Sequence, residues 1–148
     1  MAANADPAFT RVGKVSGALI TAANTSSQGG GTVATDIFKA FTADSTNGSF
    51  VREFRWVLTE TTIGTASTGT VGRIFISSIT SGSTTSADTH LFQEVALAAQ
   101  TPSSTAAGVP IIVPAGFWLP AGWTILGTNH AAPAANTAWK LLVIGGDY

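Results

Sequence analysis

Turn-forming residues recur every 8 to 15 residues along this chain, and between them lie short runs rich in Val, Ile, Phe, Trp and Thr. Gly, Asn and Pro punctuate a backbone, whereas β-branched and aromatic side chains pack well on a pleated surface. The alternation therefore predicts many short antiparallel strands. Eight are read, over residues 9–21, 35–43, 50–60, 70–79, 89–98, 108–113, 122–128 and 138–145. The stretches between them are Gly/Ser/Thr/Asn or Ala/Pro connectors, including Gly29-Gly30-Gly31 and Asn47-Gly48.

The third strand has the clearest pattern. Phe50, Phe54, Trp56 and Leu58 share one face, with Arg52 the one polar intruder, and Glu53, Arg55 and Thr59 share the other with Val51 and Val57. That is a period of two. Ile74-Phe75-Ile76 and residues 139–144 are instead apolar on both faces apart from Lys140. A strand apolar on both faces needs a second layer over its outer side. In a sandwich that layer is a loop, a terminus or another subunit. Residues 90–100 fit either a strand, with Leu91, Val95 and Leu97 against His90 and Glu94, or a helix ended by Thr101-Pro102; the strand is favoured.

Eight short strands in 148 residues leave three architectures: a jelly roll, a Greek-key sandwich or a closed barrel. The jelly roll ranks first. The expected fold is all-β, an eight-stranded jelly-roll-like antiparallel sandwich forming one domain over residues 9–148. A polar N-terminal arm over residues 1–8 precedes it.

Charge is scarce. Only 10% of residues are charged, and the 45 residues from 95 to 139 contain no Asp, Glu, Lys or Arg. Typical domains carry about 25%. Two readings fit the uncharged run: a core with neutral loops, or a surface covered by partner chains, since interface cores lose charged residues. Rings of identical subunits bring like charges together near the symmetry axis, so an uncharged surface suits a symmetric oligomer. The candidate oligomer or docking residues are the aromatics Phe117, Trp118, Trp123 and Trp139, because large aromatic side chains dominate interface energies.

The same composition argues against several functions. Net charge is −1, and Arg11/Lys14 and Arg52/Arg55 have acids close by, so there is no basic footprint for nucleic acid. No apolar run reaches the about 20 residues that span a bilayer, and no signal-peptide pattern opens the chain. Without Cys there are no disulfides, thiolate metal sites or Cys nucleophiles. Asp88, His90 and His130 are too few and too scattered in sequence for a convincing metal set, and there is no G-x-S-x-G. Glu53, Glu60 and Glu94 are the strand-borne acids, and the glycine triplet has no phosphate-loop sequence around it. The expectation is a protein without enzymatic activity and without a cofactor or metal. Four Trp and neutral Asn and Thr groups also suit a sugar-binding module, with a host surface glycan as ligand.

Residues 111–130, IIVPAGFWLPAGWTILGTNH, carry a family resemblance. The first Pro-Ala-Gly, then Leu-Pro-Ala-Gly-Trp leading into an apolar strand that ends in Thr-Asn, resembles small structural proteins of tailed bacteriophages. So does the short apolar strand near the end, residues 139–144. Residues 17–25 and 37–41 are similar to the opening strands of the same group. The likeness covers about half the chain and rests on turn-and-strand patterns.

The resemblance implies a jelly-roll subunit of the virion, commonly trimeric, assembled in the host bacterial cytoplasm. One placement is a capsid decoration, or cement, protein on the capsid exterior that clamps the lattice of the major capsid protein. The other is the head of a fibre or appendage. The chain lacks the long repeats that precede fibre heads, which favours decoration.

Overall fold

The computed structural model describes residues 12–148. The expected arm over residues 1–8 and the opening of the first expected strand lie outside the described residues. Ten strands follow in order: β1 (Val12–Ile20), β2 (Gly31–Thr32), β3 (Phe38–Thr42), β4 (Ser49–Glu60), β5 (Thr70–Ser77), β6 (Ser83–Thr84), β7 (Thr89–Leu97), β8 (Ile111–Leu119), β9 (Thr124–Asn129) and β10 (Thr137–Asp147).

Eight long strands build two four-stranded antiparallel sheets. Sheet one has the order β1-β10-β4-β8 and sheet two the order β3-β9-β5-β7. The pairing is nested: β1 pairs with β10, β3 with β9, β4 with β8 and β5 with β7. Apart from the β5-to-β7 connection, every link between successive long strands passes from one sheet to the other. The protein is thus an all-β antiparallel sandwich.

The expected count of eight is corrected: the described residues form ten strands in three sheets. The additional pair, β2 and β6, forms a two-stranded sheet of its own. Two residues are too few to carry a periodic signal, so their segments read as connectors. They belong to two loops that lie over the outer face of sheet two. There Ile37 and Val33 pack on Phe75 and Leu126. This is the second layer that Ile74-Phe75-Ile76 requires, with Ile74 turned inward to the main core and Phe75 outward to the cover. The glycine triplet serves this layer by close approach. A Cβ on Gly29 would lie 2.7 Å from the Thr89 side chain, and one on Gly31 would lie 2.5 Å from the Asn24 amide.

The main core sits between the sheets, with Trp56, Trp139, Phe54, Phe41, Leu141 and Ile125 fully buried. In β4 the face assignment differs from the simple period of two. Val51 aligns with Gly145 and Glu53 with Ile144, so Arg52 is an extra residue on β4. Such a bulge shifts the alternation by one. Val51 therefore joins Phe54, Trp56 and Leu58 in the core, Phe50 turns to the outer face, and Arg52 projects into solvent.

Strand β8 also departs from expectation. It does not stop at Val113 but continues through Pro114 to Leu119. Proline removes a ladder donor, which an edge strand tolerates, and β8 is an edge of sheet one. Between Pro114 and Phe117 it carries three steps against two on β4, with Gly116 at φ 78° taking up the extra residue. The second Pro-Ala-Gly is a real turn: Trp123 N–H donates to Pro120 O at 3.1 Å, and Gly122 has φ 73°. One tripeptide thus makes a bulge at its first occurrence and a turn at its second. Residues 89–97 are a strand, with Val95 and Leu97 buried and Glu94 and Ala96 exposed.

The two open sides of the sandwich close differently. On one, Lys14 Nζ lies 4.8 Å from the centroid of the Phe41 ring, donates to Thr42 O at 2.8 Å, and pairs with Asp147 at 3.0 Å. On the other, Phe92 of β7 meets Phe54 and Phe117 at centroid distances of 5.5 and 5.1 Å.

Candidate interaction face

The four aromatic candidates occupy four different environments. Trp139 is buried between the sheets and belongs to this chain's own core. Phe117 is half-buried and packs on Phe54 and Phe92. Trp123 is half-buried and stacks with His90, rings 6.4 Å apart and 24° from parallel. Trp118 alone of the four presents most of its surface to solvent, with 52% exposed. Its indole lies against the Asn47-Gly48 turn, where a Cβ on Gly48 would come within 2.8 Å.

Trp118 belongs to a larger feature. Residues in register across antiparallel strands point to the same side of a sheet. On the outer side of sheet one, Trp118 aligns with Phe50. Past the bulges, Pro114 aligns with Glu53, Ile144 and Val15. The next row is Ile112, Arg55, Leu142 and Gly17, and the last is Val57, Lys140 and Leu19. Val15 is 67% exposed and Ile112 53%. No loop of the described residues covers this side in the way that the β2–β6 layer covers sheet two.

Of the charged groups on this face, Arg52, Glu53 and Arg55 form one cluster, and Lys140 stands apart from it. Arg55 Nε donates to Glu53 Oε1 at 2.7 Å, and Arg52 reaches the same oxygen at 3.6 Å. A shallow groove of about 320 Å³ adjoins one end, lined by Leu19, Thr21, Thr59, Glu60, Thr61 and Asn136. A second, of about 510 Å³, runs beside β1 between Leu19, Phe38 and Lys39. Neither is lined by a Trp.

The residues considered for chemistry are kept apart. Asp88 accepts from Thr85 N–H at 2.9 Å and from the Thr85 and Thr89 hydroxyls at 2.8 Å each. These bonds, the Thr85 backbone first, hold its carboxyl below the usual carboxylate range. His90 aligns with Ile76 on β5, while His130 N–H donates to Val71 O, five residues along the same strand. At about 3.3 Å per residue the two imidazoles sit at separate positions along the sheet. Among the described residues no three His, Asp or Glu side chains form a group able to hold a metal ion. Glu53 lies on the outside of sheet one and Glu94 accepts from Arg73 on sheet two, so the core separates these two acids. Glu60 ends β4 and accepts from Thr65 N–H at 3.1 Å. No helix of the described residues is long and apolar enough to cross a membrane.

Two features escaped the reading of sequence. One is a polar cluster around Arg73, which is 6% exposed although charged: it donates to Glu94 at 2.7 Å and to Asn24 O at 3.1 Å, and meets His130 Nδ1 at 3.2 Å. Its only signal was a lone charge inside the run Val71-Gly72-Arg73-Ile74-Phe75-Ile76. The other is the outer face itself, whose signal was the two-sided apolar character of residues 139–144.

No protein-family model matches the chain, and comparison with curated proteins finds no match.

Proposed function

We propose that this protein is a structural subunit of a tailed-phage virion, a jelly-roll capsid decoration protein that works as a homotrimer and clamps the major capsid lattice from outside. The observation that carries the reading is the outer face of sheet one, which no loop of the described residues covers: a largely apolar surface on which Glu53 is paired with Arg55, on a sandwich whose other outer face is covered by its own loops. A building block of a shell needs such a face and needs no converged reactive groups.

The nested pairing supports the jelly-roll part of the reading. First with last, then successively inward, is the order obtained when a ribbon of four antiparallel pairs is wrapped into two layers. The two-residue β2 and β6 then count as embroidery on the loops. The turn-and-strand likeness of residues 111–130 supports the phage assignment.

The test is rebinding. Purified protein is added to capsids of the phage that encodes it, assembled without it, and the capsids are sedimented and heated. Saturable co-sedimentation with a raised temperature of capsid disruption is expected. Absence of binding to expanded capsids would sink the proposal.

A second reading rests on Trp118, a half-exposed indole beside the Asn47-Gly48 turn, which suits stacking against a host surface glycan. Glycan-array binding that Trp118→Ala abolishes without unfolding would favour it, as the head of an appendage.

A further inference from the structure

We infer that the outer face of sheet one is covered by a neighbouring copy of this chain. The inference deepens the proposed function and rests on its oligomeric part. It relocates the self-contact from the four scattered aromatics to one continuous surface that includes Trp118 alone among them.

Three observations point to the occupant. The first is size. Four strands about 4.8 Å apart and about 25 Å long give a face of roughly 500 Å² in projection. With side-chain relief it approaches the about 800 Å² that each partner contributes to a standard interface.

The second is how exposed apolar residues cluster. Leu91 and Phe92 are exposed on sheet two and Ile63 and Val109 in loops, but Val15, Leu19, Ile112 and Trp118, all large and exposed, share the outer face of sheet one. They come from both edge strands, and on the central strands between them Ile144, Leu142 and Val57 alternate with Glu53, Arg55 and Lys140.

The third is charge. A copy packed on an identical copy meets its own charges near the symmetry axis, where like signs repel. The acid near the middle of this face, Glu53, is 18% exposed and is neutralised by Arg55 within the same chain. A face that carries its own counter-ion buries charge at reduced cost without needing a complementary charge from the other side. The remaining cations, Arg52 beside the bulge and Lys140 in the last row, lie toward opposite ends of the face, so an axis through its middle keeps them apart from their own copies.

The experiment measures the mass of the full chain by light scattering during size exclusion. Four proteins are compared: wild type, Ile112→Asp/Val15→Asp, the milder Ile112→Gln, and a control, Leu91→Asp, on the exposed edge of sheet two. Circular dichroism and thermal melts confirm that each is folded.

Wild type is expected at a multiple of 15.0 kDa. The double variant is expected at the monomer mass, and Ile112→Gln dissociates at several-fold higher protein concentration than wild type. Leu91→Asp keeps the wild-type mass. A monomeric wild type, or folded face variants that keep the wild-type mass, overturns the inference.

Capsid rebinding by the same proteins separates this failure from failure of the parent reading. Normal rebinding with unchanged oligomers removes the face and leaves the decoration role. Dissociation by the face variants in a protein that never binds capsids removes the decoration role and leaves the face.

Discussion

Gly72 lies against the indole of Trp56: a Cβ at residue 72 would fall 2.9 Å from Cζ2 and 2.8 Å from Leu97 Cδ1. The absence of a side chain in the middle of β5 is what lets the larger ring reach across from sheet one. Gly72→Ala is therefore expected to overpack the core and lower stability by about 1–3 kcal/mol. Gly13→Ala, where nothing lies within 4 Å, should change it by less than about 0.5 kcal/mol. Urea titration of both variants checks this, and equal midpoints would contradict it.

Arg73 anchors sheet two to the loop that covers it. Its guanidinium has only donors, so Asn24 O and His130 Nδ1 both act as acceptors. Arg73→Met removes three polar contacts and strands a buried carbonyl. A loss of about 2–3 kcal/mol is expected. Glu94 is 48% exposed, and solvent screens its share, so Glu94→Gln should cost about 1 kcal/mol or less. Thermal melts of the two variants should rank in that order.

Gly48 and Gly116 both hold the left-handed backbone, at φ 76° and 78°, but only Gly48 is crowded. Gly116→Ala should cost about 1 kcal/mol, the strain of placing a side chain there. Gly48→Ala should cost more and also displace Trp118, which intrinsic fluorescence would register as a shifted emission maximum. Unchanged emission would contradict the packing of the indole on that turn.

Asp44 accepts from Asn47 N–H at 2.8 Å and Thr46 N–H at 2.9 Å. These bonds, Asn47 first, hold its carboxyl below the ordinary 3.8, as the Thr85 bonds do for Asp88. A group whose folded value is depressed binds fewer protons folded than unfolded near that pH. Its contribution is therefore full above the ordinary value and disappears as pH falls through the folded one. Stability should decline as pH drops below about 5. The double variant Asp44→Asn/Asp88→Asn should show a shallower decline, measured by urea midpoints between pH 6 and pH 2.

The sandwich was legible because its strands are short, separated by turn residues and rich in β-branched side chains. Each of the eight long strands overlaps its expected position, though the sixth starts three residues later and runs six further. What escaped detection has local causes. Bulges at Arg52 and Gly116 break the period of two, so Phe50 and Val51 exchanged faces. Pro114 reads as a terminator unless the strand is known to be an edge. Of the candidate site, Trp118 was placed on an exposed surface by its neighbours in space, whereas Trp139 went to the core, and both look alike in sequence. The outer face gathers residues from four strands between Val15 and Ile144, so only register could assemble it.

The strand that completes sheet one, β10, is the last of the described strands, and it lies between β1 and β4 rather than at a margin. Until β10 has been synthesised, β1 has no partner in its sheet and β4 has one open side. Pairings as distant as Val12 with Asp147 make the completion of sheet one a slow, long-range closure.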